Sequence, residues 1–229
     1  SQLERVVRAE HHFAAEMAIT EATDWIAETG AGAERPFFAW VHLFDPHTPH
    51  TPPEPFALGL GPRSAPGIAA VANWLPFRQP GARPFDEKVL AGHSELYDGE
   101  VAYLDRQVGR RLDGLDSRGL RDTTLVAVVA DHGENLGEHG IRYRHTGLFE
   151  TTTHVPLMIR WPGAPRRGQR FAALVQTVDL FPTLLAATGL TVPDQDGIDL
   201  RDLSGSGRTG RRVVFSEHAE QLGFRVRTP

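Results

Sequence analysis

An acidic side chain and an imidazole stand next to each other where an apolar stretch of this sequence ends. Residues 125–130 are all apolar, and Asp131 and His132 follow them directly. Such a run predicts a buried strand of an α/β sheet, and open α/β sheets bind their ligands just beyond the carboxyl ends of the strands. A carboxylate oxygen beside a neutral imidazole suits calcium, magnesium, manganese or zinc. The pair therefore predicts a divalent metal site that needs further ligands, with a turn aspartate beside a hydrogen-bonded histidine as the structural alternative.

The loop that follows this pair carries several positive or potentially positive side chains. Among them are Arg142, Arg144 and His145. Positive charge close to a bound metal would suit an anionic substrate group, because it stabilises the negative charge that develops in a transition state. A solvated basic loop is the alternative for each of these residues taken singly.

A second cluster of acid and imidazole groups follows another apolar stretch. The aromatic and β-branched residues Pro36–Phe44 predict a buried strand, after which come Asp45, His47 and His50. A histidine can protonate a leaving group near neutral pH, and the prolines on either side of His47 would restrict its loop. A lone loop histidine is more often structural or merely exposed. Two strands that both end in such clusters predict one site at a shared sheet edge.

The remaining segments alternate between helical and strand patterns. The predicted helices are residues 3–26, 94–116 and 179–188, and the other strands are residues 124–130, 154–161, 171–177 and 213–216. This alternation predicts an α/β fold with a mostly parallel sheet and helices on both faces. Residues 51–92 are rich in Pro, Gly and Ala, which indicates a long insertion loop. No internal repeat or domain linker interrupts the chain.

Composition excludes several classes of protein. The 229 residues suffice for one α/β domain with a sizeable core, and a net charge of -5 gives no broad basic surface for nucleic acid. Without any cysteine, the chain holds no disulfide, thiolate metal site or cysteine nucleophile. No apolar run approaches the roughly 18 residues that a membrane span needs. No Gly-x-Ser-x-Gly motif marks a serine nucleophile either.

Several segments, in this order along the chain, resemble the sulfatase family of the alkaline-phosphatase-like superfamily. The most specific is the run Asp-His-Gly-Glu-Asn-Leu-Gly-Glu-His-Gly at 131–140. The others are Pro36–His47, Tyr97–Asp105, Thr153–Gly163 and Asp179–Leu185. The resemblance implies that the full-length protein hydrolyses small-molecule or glycan sulfate esters. Alternatives are a phosphonate or phosphate ester hydrolase, a phosphoglycerol transferase of the same superfamily, or a non-catalytic fragment or pseudoenzyme.

The resemblance also implies roles for individual residues. Asp131 and His132 would form half of a metal site that holds calcium, with magnesium or manganese as alternatives. His47 would contact the sulfate ester and protonate the leaving oxygen. His145 would bind the sulfate oxygens, and Arg144 is the alternative for that position because the alignment could slip by one.

Two parts of the family pattern do not occur in this sequence. The family's nucleophile is a formylglycine made from Cys or Ser in a Cys/Ser-x-Pro/Ala-x-Arg motif, and its first metal-binding acids lie on an N-terminal strand. We therefore expect residues 1–229 to be the middle-to-late part of a single sulfatase-like catalytic domain, incomplete at both ends. The formylglycine is expected upstream, and the chain alone is expected to show no turnover. The resemblance would fit a periplasmic or secreted protein.

Overall fold

The structure is a computed structural model, and contacts divide it into two compact units. It describes residues 15–29, 36–48, 50–57, 87–163, 168–204, 210–218 and 223–228. Unit 1 comprises Ser1–Val126, Leu136–Arg144 and Arg160–Ala164. Unit 2 comprises Ala127–Asn135, His145–Ile159 and Pro165–Pro229.

Unit 1 is built on two helices, α1 (Ala15–Thr29) and α2 (Glu87–Asp116), which pack against each other. Helix α1 buries Ala15, Ile19 and Ile26, whose spacing of four and seven residues places them on one face. The helix predicted at 3–26 is thus confirmed over its described part, and residues 3–14 lie outside the described residues. No helix in the described part of the chain is long and apolar enough to cross a membrane.

Helix α2 confirms the helix predicted at 94–116 and begins earlier. Because it begins at Glu87, the end of the predicted 51–92 loop is helical, and residues 58–86 lie outside the described residues. The apolar spacing that predicted this helix describes only part of its buried face, such as Leu115. Val101 is exposed, whereas polar side chains three, four and seven residues apart are buried. These are His93, Glu100, Tyr103 and Gln107.

The apolar core of unit 1 lies where the end of α2 meets α1. Ile26, Leu115 and Leu120 are buried together, and Trp25, Phe37 and Val126 pack against them. The rings of Trp25 and Phe37 meet edge to face at 6.3 Å between centroids. Full burial of a side chain of this size contributes about 1.5–3 kcal/mol, so this cluster fastens the two helices to each other.

Two of the predicted strands are wrong. Residues 36–44 pair with no other described segment, and Phe38 and Trp40 are 72% and 76% exposed rather than buried. Among the described residues, 171–177 make only an isolated bridge, between Leu174 and Arg211. Apolar, β-branched composition favours extended backbone, but a strand exists only where a second segment completes the hydrogen-bonded ladder.

The described strands form two-stranded sheets, and a mixture of helices and strands is present as predicted. The strands predicted at 124–130 and 154–161 are confirmed as shorter segments, and the strand predicted at 213–216 is confirmed with an end two residues later. The pairs are β1 (Val126–Val129) with β4 (Leu157–Arg160), β2 (Asn135–Leu136) with β3 (Arg142–Arg144), and β5 (Val214–His218) with β6 (Gly223–Arg227). The last pair is antiparallel, with Phe215 opposite Val226.

Short helices complete unit 2. Helix α3 (Glu150–Thr153) precedes β4, and helix α4 (Leu180–Ala187) continues a 3₁₀ turn at Thr177–Asp179, which confirms the helix predicted at 179–188. Asp179 is fully buried at the start of α4, and its carboxylate accepts hydrogen bonds from the backbone N–H groups of Gln176 and Ile198, both at 2.8 Å.

The same carboxylate of Asp179 also pairs with the guanidinium of Arg211. One buried acid therefore holds three separate segments of unit 2 together.

Candidate functional site

The acid–imidazole pair lies directly beyond β1, where the sequence predicted it. The Asp131 side chain is 80% exposed and that of His132 is 36% exposed. One Asp131 oxygen accepts the backbone N–H of His132 at 3.0 Å, and the other lies 3.7 Å from His132 Nε2. Two donor atoms bound to one cation at about 2.0–2.5 Å stand roughly 3–4 Å apart, so this separation fits a shared cation.

A hydrogen bond to the backbone fixes which nitrogen of His132 is available to a ligand. Nδ1 lies 2.9 Å from the carbonyl oxygen of Gly133. A carbonyl oxygen only accepts, so Nδ1 carries the proton and the lone pair of the neutral ring is on Nε2. Metal-binding histidines are commonly oriented in this way by a bond from the other ring nitrogen. The nitrogen that faces Asp131 is therefore the one able to bind a cation.

The second imidazole of the predicted site lies against the first. The rings of His132 and His145 are 4.1 Å apart between centroids and inclined by 30°. His145 is exposed, as is Asp131, so both groups are open to solvent. Unit 2 thus brings together three of the residues that the sequence marked for chemistry.

Two donors do not complete a metal site. Calcium takes six to eight oxygen ligands, and a catalytic zinc takes at least three protein ligands. In the described part of the chain, no group of three or more His, Cys, Asp or Glu side chains could hold a metal ion. The chemistry of Asp131 and His132 fits one cation as two members of a larger ligand set.

The other predicted site residues, His47 and Arg144, belong to unit 1. His47 lies in a turn in which its backbone N–H binds the carbonyl of Phe44, and its ring packs 4.6 Å from the Phe44 ring. Its Nδ1 donates to the carbonyl of Thr48 at 2.7 Å, which orients the ring. Arg144 is the exposed last residue of β3.

Two neighbours of His47 have structural roles. Asp45 accepts the backbone N–H of Ala15 at 3.0 Å and so fastens this turn to the first described residue of α1. His50 is buried and donates from Nδ1 to Glu100 at 2.9 Å, while the other Glu100 oxygen accepts the N–H of Thr51 at 2.6 Å. His50 was one of the histidines considered for chemistry, and its buried pairing with Glu100 explains its place in the sequence.

Sequence reasoning missed a buried amide beside the exposed imidazoles. Asn135 is fully buried; its Nδ2 donates to the carbonyl of Thr146 at 3.1 Å, and its Oδ1 accepts from the Thr151 hydroxyl at 2.7 Å. A single asparagine after Asp-His-Gly-Glu carries no signal of such burial, because its partners are 11 and 16 residues away. Only the folded loop brings these groups together.

The structure gives a reason for glycine at position 133. Its N–H donates to the carbonyl of Thr152 at 2.9 Å. A Cβ atom at this position would lie 2.0 Å from the carbonyl oxygen of Thr151. The residue must therefore be glycine because two backbone segments approach each other closely.

The model of the family described as Sulfatase matches residues 12–190. The chain belongs to the sulfatase family. Its solved neighbours include the phosphonate monoester hydrolase of Agrobacterium radiobacter, with a TM-score of 0.69 and 28% identity over 89% of this chain and 45% of that one. The alkaline-phosphatase-like fold of the family is thereby confirmed.

Curated relatives are also sulfatases. Iduronate 2-sulfatase from Homo sapiens is 30% identical over 223 residues, which cover 76% of this sulfatase-family chain and 40% of the relative. N-acetylglucosamine-6-O-sulfatase from Bacteroides thetaiotaomicron is 35% identical over 144 residues, which cover 58% of the chain and 26% of the relative. The chain spans less than half the length of these relatives. Enzymes of the family generally depend on a divalent metal.

Proposed function

We propose that the full-length protein is a sulfatase, a metal-dependent hydrolase of sulfate esters. The observation that carries this proposal is the site beyond β1. There an exposed carboxylate, an imidazole with Nε2 available and a second stacked imidazole lie together, in a chain that belongs to the sulfatase family. A sulfate ester presents several anionic oxygens, and this set of groups offers both cation binding and imidazole donors to them.

Each predicted residue has a distinct role in this proposal. Asp131 and His132 hold the cation, which we assign as calcium, with magnesium or manganese as alternatives. A cation bound there would neutralise negative charge on the sulfate oxygens. His145 binds a sulfate oxygen, with Arg144 as the alternative for that position. His47, whose ring is oriented by the hydrogen bond from Nδ1 to Thr48, protonates the departing alcohol oxygen.

The proposal assigns the nucleophile to residues outside this chain. The sequence has no cysteine and no Ser-x-Pro-x-Arg motif, so a formylglycine and the remaining metal-binding acids would come from elsewhere in the full-length protein. For the 229 residues alone we expect no turnover. We also propose that these residues form part of a single catalytic domain whose mostly parallel sheet has helices on both faces and whose insertion loop is 51–92.

The names of the curated relatives favour a sulfated sugar as substrate, since one acts on iduronate and another on N-acetylglucosamine. The structural similarity to a phosphonate monoester hydrolase favours a second candidate, the hydrolysis of phosphonate or phosphate esters. Comparison of kcat/KM for a sulfate monoester, a phosphonate monoester and a phosphate diester separates the two. Highest kcat/KM for the sulfate monoester supports the first proposal, and highest kcat/KM for a phosphorus ester replaces it with the second.

Sulfate release from an aryl sulfate by the full-length protein tests the proposed site. We expect Asp131→Ala to lower kcat/KM by roughly 100-fold or more, because electrostatic stabilisation of the sulfate oxygens is lost. Asp113→Ala is the control, since Asp113 is an exposed acid on α2 to which the proposal assigns no role. Undiminished activity of Asp131→Ala would remove Asp131 from the site, and inactivity of the wild-type protein on all three ester classes would favour a non-catalytic protein.

A further inference from the structure

The buried amide of Asn135 is hydrogen-bonded to two residues that follow His145 in the chain, Thr146 and Thr151. Asn135 is fully buried, and both ends of its carboxamide are engaged. Nδ2 donates to the carbonyl of Thr146, the residue covalently joined to His145. Oδ1 accepts from the Thr151 hydroxyl, on helix α3. One side chain thus links the strand that follows Asp131-His132 to the peptide that carries His145.

His145 needs such support because its own side chain is exposed. An exposed ring is held in place by little packing, so the position of His145 depends on the backbone to which it is attached. Two hydrogen bonds hold that backbone. Asn135 binds the carbonyl of Thr146, the residue after His145, and the Thr152 hydroxyl donates to the carbonyl of Gly147 at 2.8 Å. The loop on the His132 side is fixed to the same helix, since the N–H of Gly133 donates to the carbonyl of Thr152.

The chemistry of the side chain matters as much as its size. A carboxamide supplies an N–H donor and a carbonyl acceptor at opposite corners, which the Thr146 carbonyl and the Thr151 hydroxyl require. Aspartate has the same shape but no donor, and it would place a carboxylate oxygen against the Thr146 carbonyl. Alanine would leave both partners without a hydrogen bond in a buried place.

We infer that Asn135 is a positioning residue that holds His145 against His132. In this arrangement the two imidazoles form one surface that faces the sulfate ester. This inference rests on the proposed function for its catalytic consequence, but its structural part stands independently. A misplacement of about 1 Å in a reacting group can cost roughly 100-fold in rate, so loss of the Asn135 bridge is expected to reach activity through His145.

A double-mutant cycle in the full-length protein tests the catalytic part. We expect Asn135→Asp to lower kcat/KM for an aryl sulfate by roughly 10- to 100-fold in the wild-type background. In the His145→Ala background the same substitution should cost much less, because residues that act through one another are not additive. Equal losses in both backgrounds would show that Asn135 is only a structural residue and would overturn the inference.

Nuclear magnetic resonance of the 229-residue chain labelled at histidine tests the structural part without any turnover. The wild-type chain should give a through-space cross-peak between the His132 and His145 rings, whose centroids are 4.1 Å apart. Asn135→Asp should abolish this cross-peak and leave the signals of buried His50 and His93, in unit 1, unchanged. A cross-peak that persists in the folded variant overturns the inference.

Thr151→Val keeps the test decisive if Asn135→Asp fails to fold. This substitution removes only the hydroxyl that donates to Asn135 Oδ1, and the hydrogen bond between Asn135 and Thr146 remains. We therefore expect a weakened cross-peak between His132 and His145. An unchanged cross-peak counts against the inference. Failure of the proposed function is recognised separately. A wild-type protein that hydrolyses no ester sinks the enzyme assignment, while the cross-peak still decides whether Asn135 positions His145.

Discussion

At the residue scale, only some of the groups that form the proposed site beyond β1 can be identified from the sequence. Asp131, His132 and His145 could be selected from residue type and position alone, and the structure places them together. Asn135 could not be selected, because its burial arises from partners distant in sequence. The need for glycine at position 133 arises from the close approach of the Thr151 backbone, which is also distant in sequence. Exposed reactive residues are visible in a sequence, whereas the buried residues that support them are not.

The close approach at Gly133 predicts a large cost for a single methyl group. Gly133→Ala would place Cβ 2.0 Å from a backbone oxygen, so one of the two segments must move. We expect the free energy of unfolding to fall by about 1–3 kcal/mol, measured by urea denaturation. Gly109→Ala is the matched control, because nothing lies within 4 Å of the added methyl group in helix α2. That variant should gain about 0.5–1 kcal/mol, and equal effects at both positions would contradict the close approach.

The cation proposed at Asp131 predicts that a chelator lowers the stability of the full-length protein. A cation that binds only the folded protein stabilises it, by about 2.7 kcal/mol at a concentration 100 times its Kd. We therefore expect EDTA to lower the Tm of the wild-type protein and calcium to restore it. Asp131→Ala should show a much smaller shift, and Asp113→Ala should behave as the wild type does. A Tm that EDTA does not change in any of the three proteins would argue against a bound cation.

At the element scale, helix α2 shows what hydrophobic periodicity predicts and what it leaves out. The spacing of apolar residues predicted a helix at 94–116, and the helix is present. Several of its buried positions are nevertheless polar, and two of them, Glu100 and His93, lie near His50 of the segment after His47. Periodicity reports the helical repeat, but the identity of the buried face depends on the partner that covers it.

The buried pair of Glu100 and His50 predicts a strong effect of truncation. Glu100→Ala would leave the His50 ring and the Thr51 N–H without their acceptor inside the protein. We expect a loss of about 3–5 kcal/mol in the free energy of unfolding. The control is Glu16→Ala, which breaks the exposed ion pair with Arg110 and should cost no more than about 1 kcal/mol. Similar losses in the two variants would show that the Glu100 carboxylate is not a buried anchor.

The neighbouring His93 predicts a pH dependence of stability. Burial lowers the pKa of His93 below 6.5, and the nearby His50 lowers it further. As the pH falls below about 6.5, His93 binds a proton in the unfolded chain before it does so in the folded protein. The stability present above that pH is therefore lost as the pH falls towards the folded pKa of His93. We expect the difference in unfolding free energy between pH 7.5 and pH 5.5 to be smaller in His93→Gln than in the wild type. An equal or larger difference would contradict the lowered pKa.

At the scale of the whole molecule, the sequence predicted a mixed α/β fold better than it predicted strand pairing. The strands near 126–129, 157–160 and 214–218 were found from local composition. Residues 36–44 and 171–177 had the same composition without becoming strands within the described residues. Strand composition is local, but a ladder depends on a second segment distant in sequence. The division into two units likewise follows from contacts that no local pattern records.

Substitution of the buried acid Asp179 should lower the stability of unit 2 more than that of unit 1. Asp179 holds segments of unit 2 through Arg211 and two backbone N–H groups. Asp179→Asn would remove the ion-pair partner of the mostly buried guanidinium of Arg211, at a cost of about 3–5 kcal/mol. Because these contacts all lie inside unit 2, amide hydrogen exchange should accelerate in α4 and remain slow in α2.

Asp199→Asn is the matched control for that experiment, since Asp199 also pairs with an arginine, Arg201, but in a more exposed place. Exposed pairs contribute at most about 1 kcal/mol, so exchange in α4 should change little. Faster exchange in both α2 and α4 of Asp179→Asn would mean that the two units unfold together. No acceleration in either helix would mean that Asp179 does not anchor unit 2. Acceleration confined to α4 would identify unit 2, which carries Asp131, His132 and His145, as a part of the molecule with its own local stability.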